Sequence, residues 1–206
     1  DKANRTSHSS IRGLGLDQGL KIFQELKAQF DVPILTDVHQ PAQCELVAPH
    51  VDILQIPAFL CRQTDLILAA AETNKIVNIK KGQFLSANEM LQVAKKFQST
   101  GNNQVILTER GTSFGYNDLI CDMRSLETLK KNGFPVILDA THSIQKPGGQ
   151  GSKSGGQREF IEPLARAGTS LGLAGLFLET HEKPERAPSD GESMLHIENL
   201  DPLLAK

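Results

Sequence analysis

Basic side chains follow several of the short apolar runs in this sequence, where they could bind anionic groups. An arginine can bind a phosphate or carboxylate through two parallel hydrogen bonds, whereas a lysine acts as a point charge. Any one of these residues could be a solvated surface charge, but the whole set is large enough for two separate phosphate groups. The set comprises Lys2 and Arg5 in the opening motif DKANRTS, Arg62 after an apolar run, and Lys80, Lys81 and Arg110 at the ends of the next two runs.

Three metal-type ligands lie at or after the ends of later apolar runs. His142 ends one run, Glu179 lies at the polar end of the last run, and Asp190 lies in the loop that follows. An imidazole with two carboxylates suits a divalent ion such as Zn²⁺, Fe²⁺ or Mn²⁺. A hydrogen-bond network of the same three residues without a metal fits the spacing equally well, so both alternatives stay open. His39 and His181 are expected either to be structural or to orient residues of the site from behind, because no nucleophile pairs with them.

The elements that must position these residues alternate along the chain. Short apolar runs rich in β-branched residues end in polar residues, and an amphipathic stretch follows. Near-continuous apolar runs of this length are typical of strands that are buried on both faces. The six runs are Pro33–His39, Asp52–Phe59, Lys75–Lys81, Gln104–Gly111, Pro135–His142 and Gly172–His181.

Helical patterns lie between the runs. Gly19–Phe30 has apolar residues at helical spacing with a mostly polar opposite side. Ser86 with Glu89 three residues later predicts a capping box at a helix start. Residues Gly156–Gly168 and Ile197–Lys206 predict two further helices.

This alternation predicts a parallel sheet. No GxGxxG or GxxxxGK[ST] motif follows a strand, which disfavours a nucleotide-binding open sheet. Polar residues at every strand end favour a (β/α)8 TIM barrel, in which the carboxyl ends of the strands form the active site. We therefore expect residues 1–206 to form one barrel domain of the α/β class that lacks its N-terminal strand or strands.

Composition narrows the functional classes. A net charge of -2 over 206 residues gives no reason to expect nucleic acid or an anionic membrane as a partner. Cys44, Cys61 and Cys121 are scattered and odd in number, which favours free thiols and a cytoplasmic location. The Gly/Ser-rich stretch Gly148–Gly156 is either a surface loop or a lid over the site.

Several long motifs resemble the family of 3-deoxy-D-manno-octulosonate 8-phosphate synthases, within the class I DAHP synthase-like superfamily. The resemblance extends through essentially the whole chain. Its motifs are DKANRTS, QIPAFLCRQTDL, NIKKGQF, TERGTSFGYNDL, DATHSIQKPGG, SGGQRE and GLFLETHEKPERAPSDG.

The resemblance implies a TIM-barrel homotetramer and a transferase reaction. Members of this family condense phosphoenolpyruvate with D-arabinose 5-phosphate and water, and they release inorganic phosphate. The product serves lipopolysaccharide core biosynthesis. The resemblance implies no organic cofactor.

Matching positions carry the family's site residues. The resemblance implies catalytic roles for Lys2, His142 and Asp190, and a metal site at His142, Glu179 and Asp190. Arg62 is implied to reach the sugar phosphate of a neighbouring subunit. The residues implied to contact phosphoenolpyruvate are Lys2, Gln55, Ala58, Phe59, Lys80, Gln83 and Arg110. Those implied to bind the pentose phosphate are Asn4, Arg5, Thr6 and Arg62.

The fourth metal position of the family lies on the first strand, as Cys in metal-dependent members and Asn in metal-independent ones. We expect that strand to precede this sequence. Metal-independent members tend to carry Cys directly before the final Asp. Ser189 stands at that position here, so the chain is more similar to the metal-dependent group.

Two alternatives stay open. A synthase of 3-deoxy-D-arabino-heptulosonate 7-phosphate would use erythrose 4-phosphate, but that family has a KPRTS-like motif where this chain has KANRTS. The second alternative is a catalytically silent barrel that only binds phosphosugars. A silent barrel has no need of catalytic side chains, so this alternative is disfavoured by the presence of Lys2, Lys80, Arg110 and His142.

Overall fold

A computed structural model describes Ala3, Arg5 and residues 7–148 and 154–205. Its central element is a six-stranded sheet in which every neighbouring pair is parallel. Each strand lies within a predicted run, and four of them end in a polar residue of that run: Asp37, Lys80, Glu109 and Asp139. The six strands are β1 (Leu35–Asp37), β2 (Ile53–Ile56), β3 (Ile76–Lys80), β4 (Val105–Glu109), β7 (Val136–Asp139) and β10 (Gly175–Phe177).

The spatial order of these strands follows the chain: β1, β2, β3, β4, β7, β10. Parallel crossovers have one handedness, so an order that never reverses places all the connecting helices on one side of the sheet. The other face is then buried when the sheet curls on itself, as in a barrel. The α/β class and the parallel sheet are confirmed, whereas closure by eight strands stays a prediction.

Seven α-helices occur among the described residues. The predicted helix over Gly19–Phe30 begins three residues earlier, at Leu16, and Asp31 ends it in the left-handed conformation (φ 47°). The helix predicted from Gly156 begins only at Ile161. The seven helices are α1 (Leu16–Phe30), α2 (Pro41–Val47), α3 (Thr64–Glu72), α4 (Ala87–Gln98), α5 (Met123–Lys131), α6 (Ile161–Thr169) and α7 (Leu200–Leu204).

The main core lies between the sheet and these helices. Leu54, Ile79 and Leu107 on three adjacent strands are fully buried, as are Met90 and Phe97 on α4. A strand covered on both faces explains why the runs are nearly continuous in apolar residues. This packing keeps neighbouring strands in register with one another. The carboxyl ends of the strands are thereby held in place, and the candidate site lies at those ends.

Short paired strands lie beyond the ends of the main strands. The β5–β6 pair (Thr112–Ser113 with Leu119–Ile120) and the β8–β9 pair (Gln145–Lys146 with Gly155–Gly156) are antiparallel. The β11–β12 pair (Thr180–His181 with Leu195–His196) is parallel. Sequence patterns did not predict them, because two-residue strands have no measurable periodicity. Gly156 therefore lies in β9, where a helix start was predicted.

The helices of the described residues are all too short or too polar to cross a bilayer.

The capping box at the start of α4 is confirmed. Ser86 Oγ accepts a hydrogen bond from the Glu89 N–H at 3.3 Å, and Glu89 Oε2 accepts one from the Ser86 N–H at 2.8 Å. The Ser86 hydroxyl also donates to Glu89 Oε2, at 2.9 Å. The Ser86 N–H and the Ser86 hydroxyl, which both donate to this carboxylate, lower the pKa of Glu89. The box fixes the first turn of the helix that packs Met90 and Phe97 into the core.

We expect Ser86→Ala to lower the free energy of unfolding by about 1 kcal/mol, because a helix N–H loses its acceptor. The control is Ser99→Ala at the other end of α4, where the hydroxyl only donates to the Lys96 carbonyl. Urea unfolding at pH 7 measures both variants. Equal losses for the two would contradict the capping role.

The parent and Ser86→Ala also test the pH dependence of the capping box. The pKa of Glu89 is lowered in the folded state. Its contribution to stability is therefore complete above the unfolded pKa of about 4.3, and it disappears as the pH falls through the folded pKa. The difference between parent and Ser86→Ala should therefore shrink below about pH 4.

Candidate active site at the strand ends

A buried aspartate lies at the centre of the candidate site. Asp139, the last residue of β7, is inaccessible to solvent. Its Oδ2 lies 2.5 Å from Lys80 Nζ and 2.6 Å from His142 Nδ1. Its Oδ1 accepts hydrogen bonds from the Thr141 hydroxyl at 3.0 Å and the His142 N–H at 2.8 Å. One carboxylate thus fixes a lysine and a histidine on different elements.

The electrostatics of Asp139 follow from these contacts. Burial alone would raise its pKa, but His142 and Lys80 outweigh burial and hold the pKa far below its ordinary value. Asp139 is therefore a permanent anion. Lys80 Nζ also lies 3.6 Å from the centre of the Phe177 ring, so the ammonium group is held from two sides.

His142, Glu179 and Asp190 converge. Each offers a ligand atom, and these atoms all lie within 4.8 Å of one another. His142 Nε2 lies 3.5 Å from Glu179 Oε1, while Nδ1 faces Asp139. A carboxylate on the far ring nitrogen is the usual arrangement around a metal-binding histidine.

The convergent groups fit a divalent cation. Glu179 Oε2 is shielded from solvent and has no hydrogen-bond partner among the described residues. A buried carboxylate oxygen without a donor needs a compensating positive charge. An imidazole and two carboxylates form a donor set suited to Zn²⁺, Fe²⁺ or Mn²⁺.

Arg110 lies next to this cluster, after the end of β4. Its Nη2 donates to Gln145 Oε1 at 2.8 Å, and Gln145 Nε2 donates to Asp190 Oδ1 at 2.9 Å. Burial lowers the pKa of Arg110, opposed by Asp139 and other nearby carboxylates, but a guanidinium stays charged. Its Nη1 is shielded and has no hydrogen-bond partner among the described residues. A buried guanidinium N–H group without a partner can donate a hydrogen bond to an anionic ligand.

A polar ladder crosses four adjacent strands. Gln55 Nε2 donates to Asp37 Oδ1 at 2.5 Å, and Asn78 Nδ2 donates to Gln55 Oε1 at 2.8 Å. The Thr108 hydroxyl donates to Asn78 Oδ1 at 2.6 Å. Both ends of the Gln55 amide therefore bind other side chains. Its predicted contact with phosphoenolpyruvate stays a prediction.

Lys81 does not belong to the group of anion-binding cations. Its side chain is fully buried, and Nζ lies 3.5 Å from Glu109 Oε1. Burial raises the pKa of Glu109, opposed by Lys81. The ammonium group is thus paired within the protein and is not available to an anion. Nζ donates to Gly82 O, Leu85 O, Gly111 O and Thr112 Oγ1 at 3.1–3.4 Å.

Other predicted residues lie around the same strand ends. Ala58 is buried and Phe59 is exposed, both in the 3-10 turn Ala58–Leu60 after β2. Gln83 is buried, and its Oε1 has no hydrogen-bond partner among the described residues. Arg62 is exposed.

Arg5 Nη2 donates to the Pro188 carbonyl at 3.4 Å, near the loop that carries Asp190. The predicted residues Lys2, Asn4 and Thr6 lie outside the described residues, as does most of the Gly148–Gly156 stretch.

The structure thus links Lys80, Arg110 and the three convergent ligands through Asp139 and Gln145. Sequence reasoning did not single out these two linking residues. Both belong to the segment DATHSIQ that also carries His142. An aspartate that ends a strand three residues before a histidine could have indicated Asp139, whereas nothing local distinguishes Gln145.

Comparisons with known proteins identify the family of this chain. The sequence matches the profile of the DAHP synthetase I family over residues 1–205. The chain belongs to this family. The family resemblance stated from the motifs is confirmed.

Individual relatives of the family are similar over nearly all of this chain. A protein of Bartonella henselae named 2-dehydro-3-deoxyphosphooctonate aldolase is 62% identical over 204 residues, which cover 99% of this chain and 73% of the relative. A protein of Brucella ovis with the same name is 57% identical over 206 residues, which cover 100% of this chain and 74% of the relative.

We expect Lys81→Met to lower the free energy of unfolding by about 3–5 kcal/mol, because Glu109 would be left as an uncompensated buried charge. Guanidinium chloride unfolding followed by circular dichroism measures the loss. The double variant Lys81→Met/Glu109→Gln should recover part of it, because the orphaned charge is removed. A single variant as stable as the parent would show that Lys81 has no structural role.

Proposed function

We propose that this enzyme condenses phosphoenolpyruvate with D-arabinose 5-phosphate and water to give 3-deoxy-D-manno-octulosonate 8-phosphate and inorganic phosphate, for lipopolysaccharide core biosynthesis. The observation that carries the proposal is the linkage of Lys80 and Arg110 to His142, Glu179 and Asp190 through two bridging side chains. Family membership and the names of the relatives support it.

Phosphoenolpyruvate would bind to the cations of the strand ends. Lys80 is held as a point charge between Asp139 and Phe177, and Arg110 has a shielded N–H group without a partner among the described residues. These two groups would receive its phosphate and carboxylate, assisted by Lys2. Gln55, Ala58, Phe59 and Gln83 would line the rest of this pocket.

The pentose phosphate would bind near the loop that precedes Asp190. Arg5, which contacts the loop before Asp190, would bind it with Asn4 and Thr6. Arg62 would bind the sugar phosphate of a neighbouring subunit in a homotetramer. Its exposed side chain supports this assignment.

The reaction forms one carbon–carbon bond and one carbon–oxygen bond, and it breaks one carbon–oxygen bond. C3 of phosphoenolpyruvate attacks the aldehyde carbon of the pentose, whose oxygen takes a proton and becomes a hydroxyl. Water adds to C2 and loses its protons, and phosphate leaves from C2 with its bridging oxygen, so that C2 becomes a ketone. Positioning two such reactants can contribute roughly 7 kcal/mol or more. The fixed charges of Lys80 and Arg110 would stabilise the oxygens of the tetrahedral intermediate without reorganisation. We assign Lys2, His142 and Asp190 to the reacting centre.

One divalent ion would be held by His142, Glu179 and Asp190. Such an ion lowers the pKa of bound water and polarises oxygen ligands. Ser189 before Asp190 favours the metal-dependent group, and the partnerless oxygen of Glu179 supports it. No organic cofactor is part of the proposal.

Family membership and the sheet also support proposals for the domain organisation and the cellular location of the enzyme. Residues 1–206 would form one domain whose sequentially ordered sheet belongs to an eight-stranded barrel. The substrates and the free cysteines Cys44, Cys61 and Cys121 support a cytoplasmic enzyme. Neither nucleic acid nor a membrane would be a partner.

Arg110→Ala tests the phosphoenolpyruvate pocket. We expect kcat/KM for phosphoenolpyruvate to fall by about 100-fold or more, because removing one preorganised donor costs roughly 2.7–4 kcal/mol. Steady-state release of inorganic phosphate measures it, with arabinose 5-phosphate and with erythrose 4-phosphate as the second substrate. Preference for erythrose 4-phosphate in the parent would reject the proposed sugar.

The matched control is Arg124→Ala, because the Arg124 side chain is 90% exposed and pairs with Asp122 at 2.8 Å. Its kinetics should equal those of the parent. Unchanged kinetics in Arg110→Ala as well would show that the pocket is assigned wrongly.

Chelation tests the metal site. After dialysis against a chelator, with removal checked by elemental analysis, we expect turnover to fall at least tenfold and Mn²⁺ to restore it. Glu179→Gln should need far more Mn²⁺ for the same recovery, because the site loses a carboxylate ligand. Full activity of the metal-free parent would reject metal dependence.

Glu182→Gln, an exposed change three residues farther along the chain, is the control for Glu179→Gln. It should respond to Mn²⁺ as the parent does.

A further inference from the structure

A single arginine holds the turn that carries Asp190. Arg158 Nη2 donates to the Gly191 carbonyl at 2.5 Å, and Arg158 Nε donates to the Met194 carbonyl at 2.6 Å. Its Nη1 lies 3.3 Å from His196 Nε2. The guanidinium therefore spans both ends of the 3-10 turn Gly191–Ser193.

This turn has little regular structure of its own. Asp190 begins it in the left-handed conformation (φ 56°, ψ 15°), which is uncommon for a residue with a side chain. Asp190 O accepts hydrogen bonds from the Ser193 N–H at 2.9 Å and the Ser193 hydroxyl at 3.1 Å. A short turn with one strained residue depends on outside contacts to keep a single conformation.

The segment before Arg158 packs directly on the same turn. A methyl group added at Gly156 would come within 2.9 Å of the backbone of Glu192 and Ser193. Gly156 lies in β9, which pairs with β8, and Gln145 of β8 donates to the Asp190 carboxylate. The backbone of the turn and the side chain of Asp190 are thus fixed from the same side.

We propose that Arg158 is a positioning residue that sets the location of Asp190 and, through it, the affinity of the metal site. The inference rests on the proposed metal site and deepens it. Arg158 contacts none of His142, Glu179 or the Asp190 carboxylate in the hydrogen bonds of the described residues, so it acts through the turn.

The inference differs from a general contribution to stability. An arginine that only stabilised the fold would, when removed, weaken metal binding and phosphoenolpyruvate binding together. Arg158 as a positioning residue affects the metal more than phosphoenolpyruvate, because Lys80 lies on β3 and pairs with Asp139, and Arg110 reaches this turn indirectly, through Gln145.

The test uses Arg158→Gln, Arg158→Lys and the control Arg166→Gln. Arg166 lies on the neighbouring helix α6, is 66% exposed, and is 3.9 Å from Glu162. Titration calorimetry of the metal-free enzyme with Mn²⁺ alone gives the metal affinity, and a separate titration gives that of phosphoenolpyruvate. Thermal unfolding of the metal-free proteins gives global stability.

We expect Arg158→Gln to bind Mn²⁺ about 10–100-fold more weakly, the range found for groups that orient metal ligands. Its phosphoenolpyruvate affinity should stay within about threefold of the parent. Arg158→Lys should be intermediate, because lysine keeps the charge but not the two-pronged geometry. Arg166→Gln should match the parent.

Amide hydrogen exchange supplies a readout that needs no metal. In Arg158→Gln, the Ser193 amide, which donates to Asp190 O, should exchange at least tenfold faster than in the parent. The Glu89 amide, in the capping box, should not change. If the parent binds no Mn²⁺, the metal proposal fails, and the Ser193 amide alone decides whether Arg158 holds the turn.

Three results would overturn the inference. The first is Mn²⁺ affinity in Arg158→Gln equal to that of a metal-binding parent. The second is unchanged exchange at Ser193. The third is an equal loss of Mn²⁺ affinity, phosphoenolpyruvate affinity and thermal stability, which would indicate a role in the fold alone.

Discussion

The candidate site depends on one buried negative charge. Asp139 is inaccessible to solvent, yet it stays ionised because a lysine, an imidazole, a hydroxyl and a backbone N–H all converge on its two oxygens. A buried carboxylate is tolerated only when its partners are present, so the requirement is mutual. Lys80 and His142 are thereby fixed on separate elements, one beside the expected anion and the other beside the expected metal. Rigid elements and a shared counter-charge give the preorganisation that a two-substrate condensation needs.

The architecture was predictable because it repeats. Each predicted run combines apolar residues with a polar end, and this combination occurs six times, so errors of one to four residues at the ends of strands did not alter the parallel sheet. The capping box of α4 was predictable for a different reason: Ser86 and Glu89 are local in sequence and satisfy each other. The two-residue strands, such as β8 and β9, were not predictable, because only tertiary contacts define them.

The site was predictable in its residue types but not in its connections. His142, Glu179 and Asp190 were expected to converge, and the structure brings their ligand atoms within 4.8 Å. Lys80 and Lys81 are adjacent in sequence, yet one faces the site and the other is buried against Glu109. Spacing alone assigns neighbouring strand residues to opposite faces but does not say which face is which. Gln145 and Arg158 act through contacts between distant segments, so no local pattern could have indicated them.

The ladder across the first four strands has a direction. Thr108 donates to Asn78, Asn78 to Gln55, and Gln55 to Asp37. A carboxylate can only accept, so its neighbour must present an amide NH2, and every later group is oriented in turn. Neither amide can rotate by half a turn without setting two acceptors or two donors against each other. The hydroxyl proton on β4 is therefore oriented by a carboxylate on β1, and the four neighbouring strands share one direction of hydrogen-bond donation across the sheet.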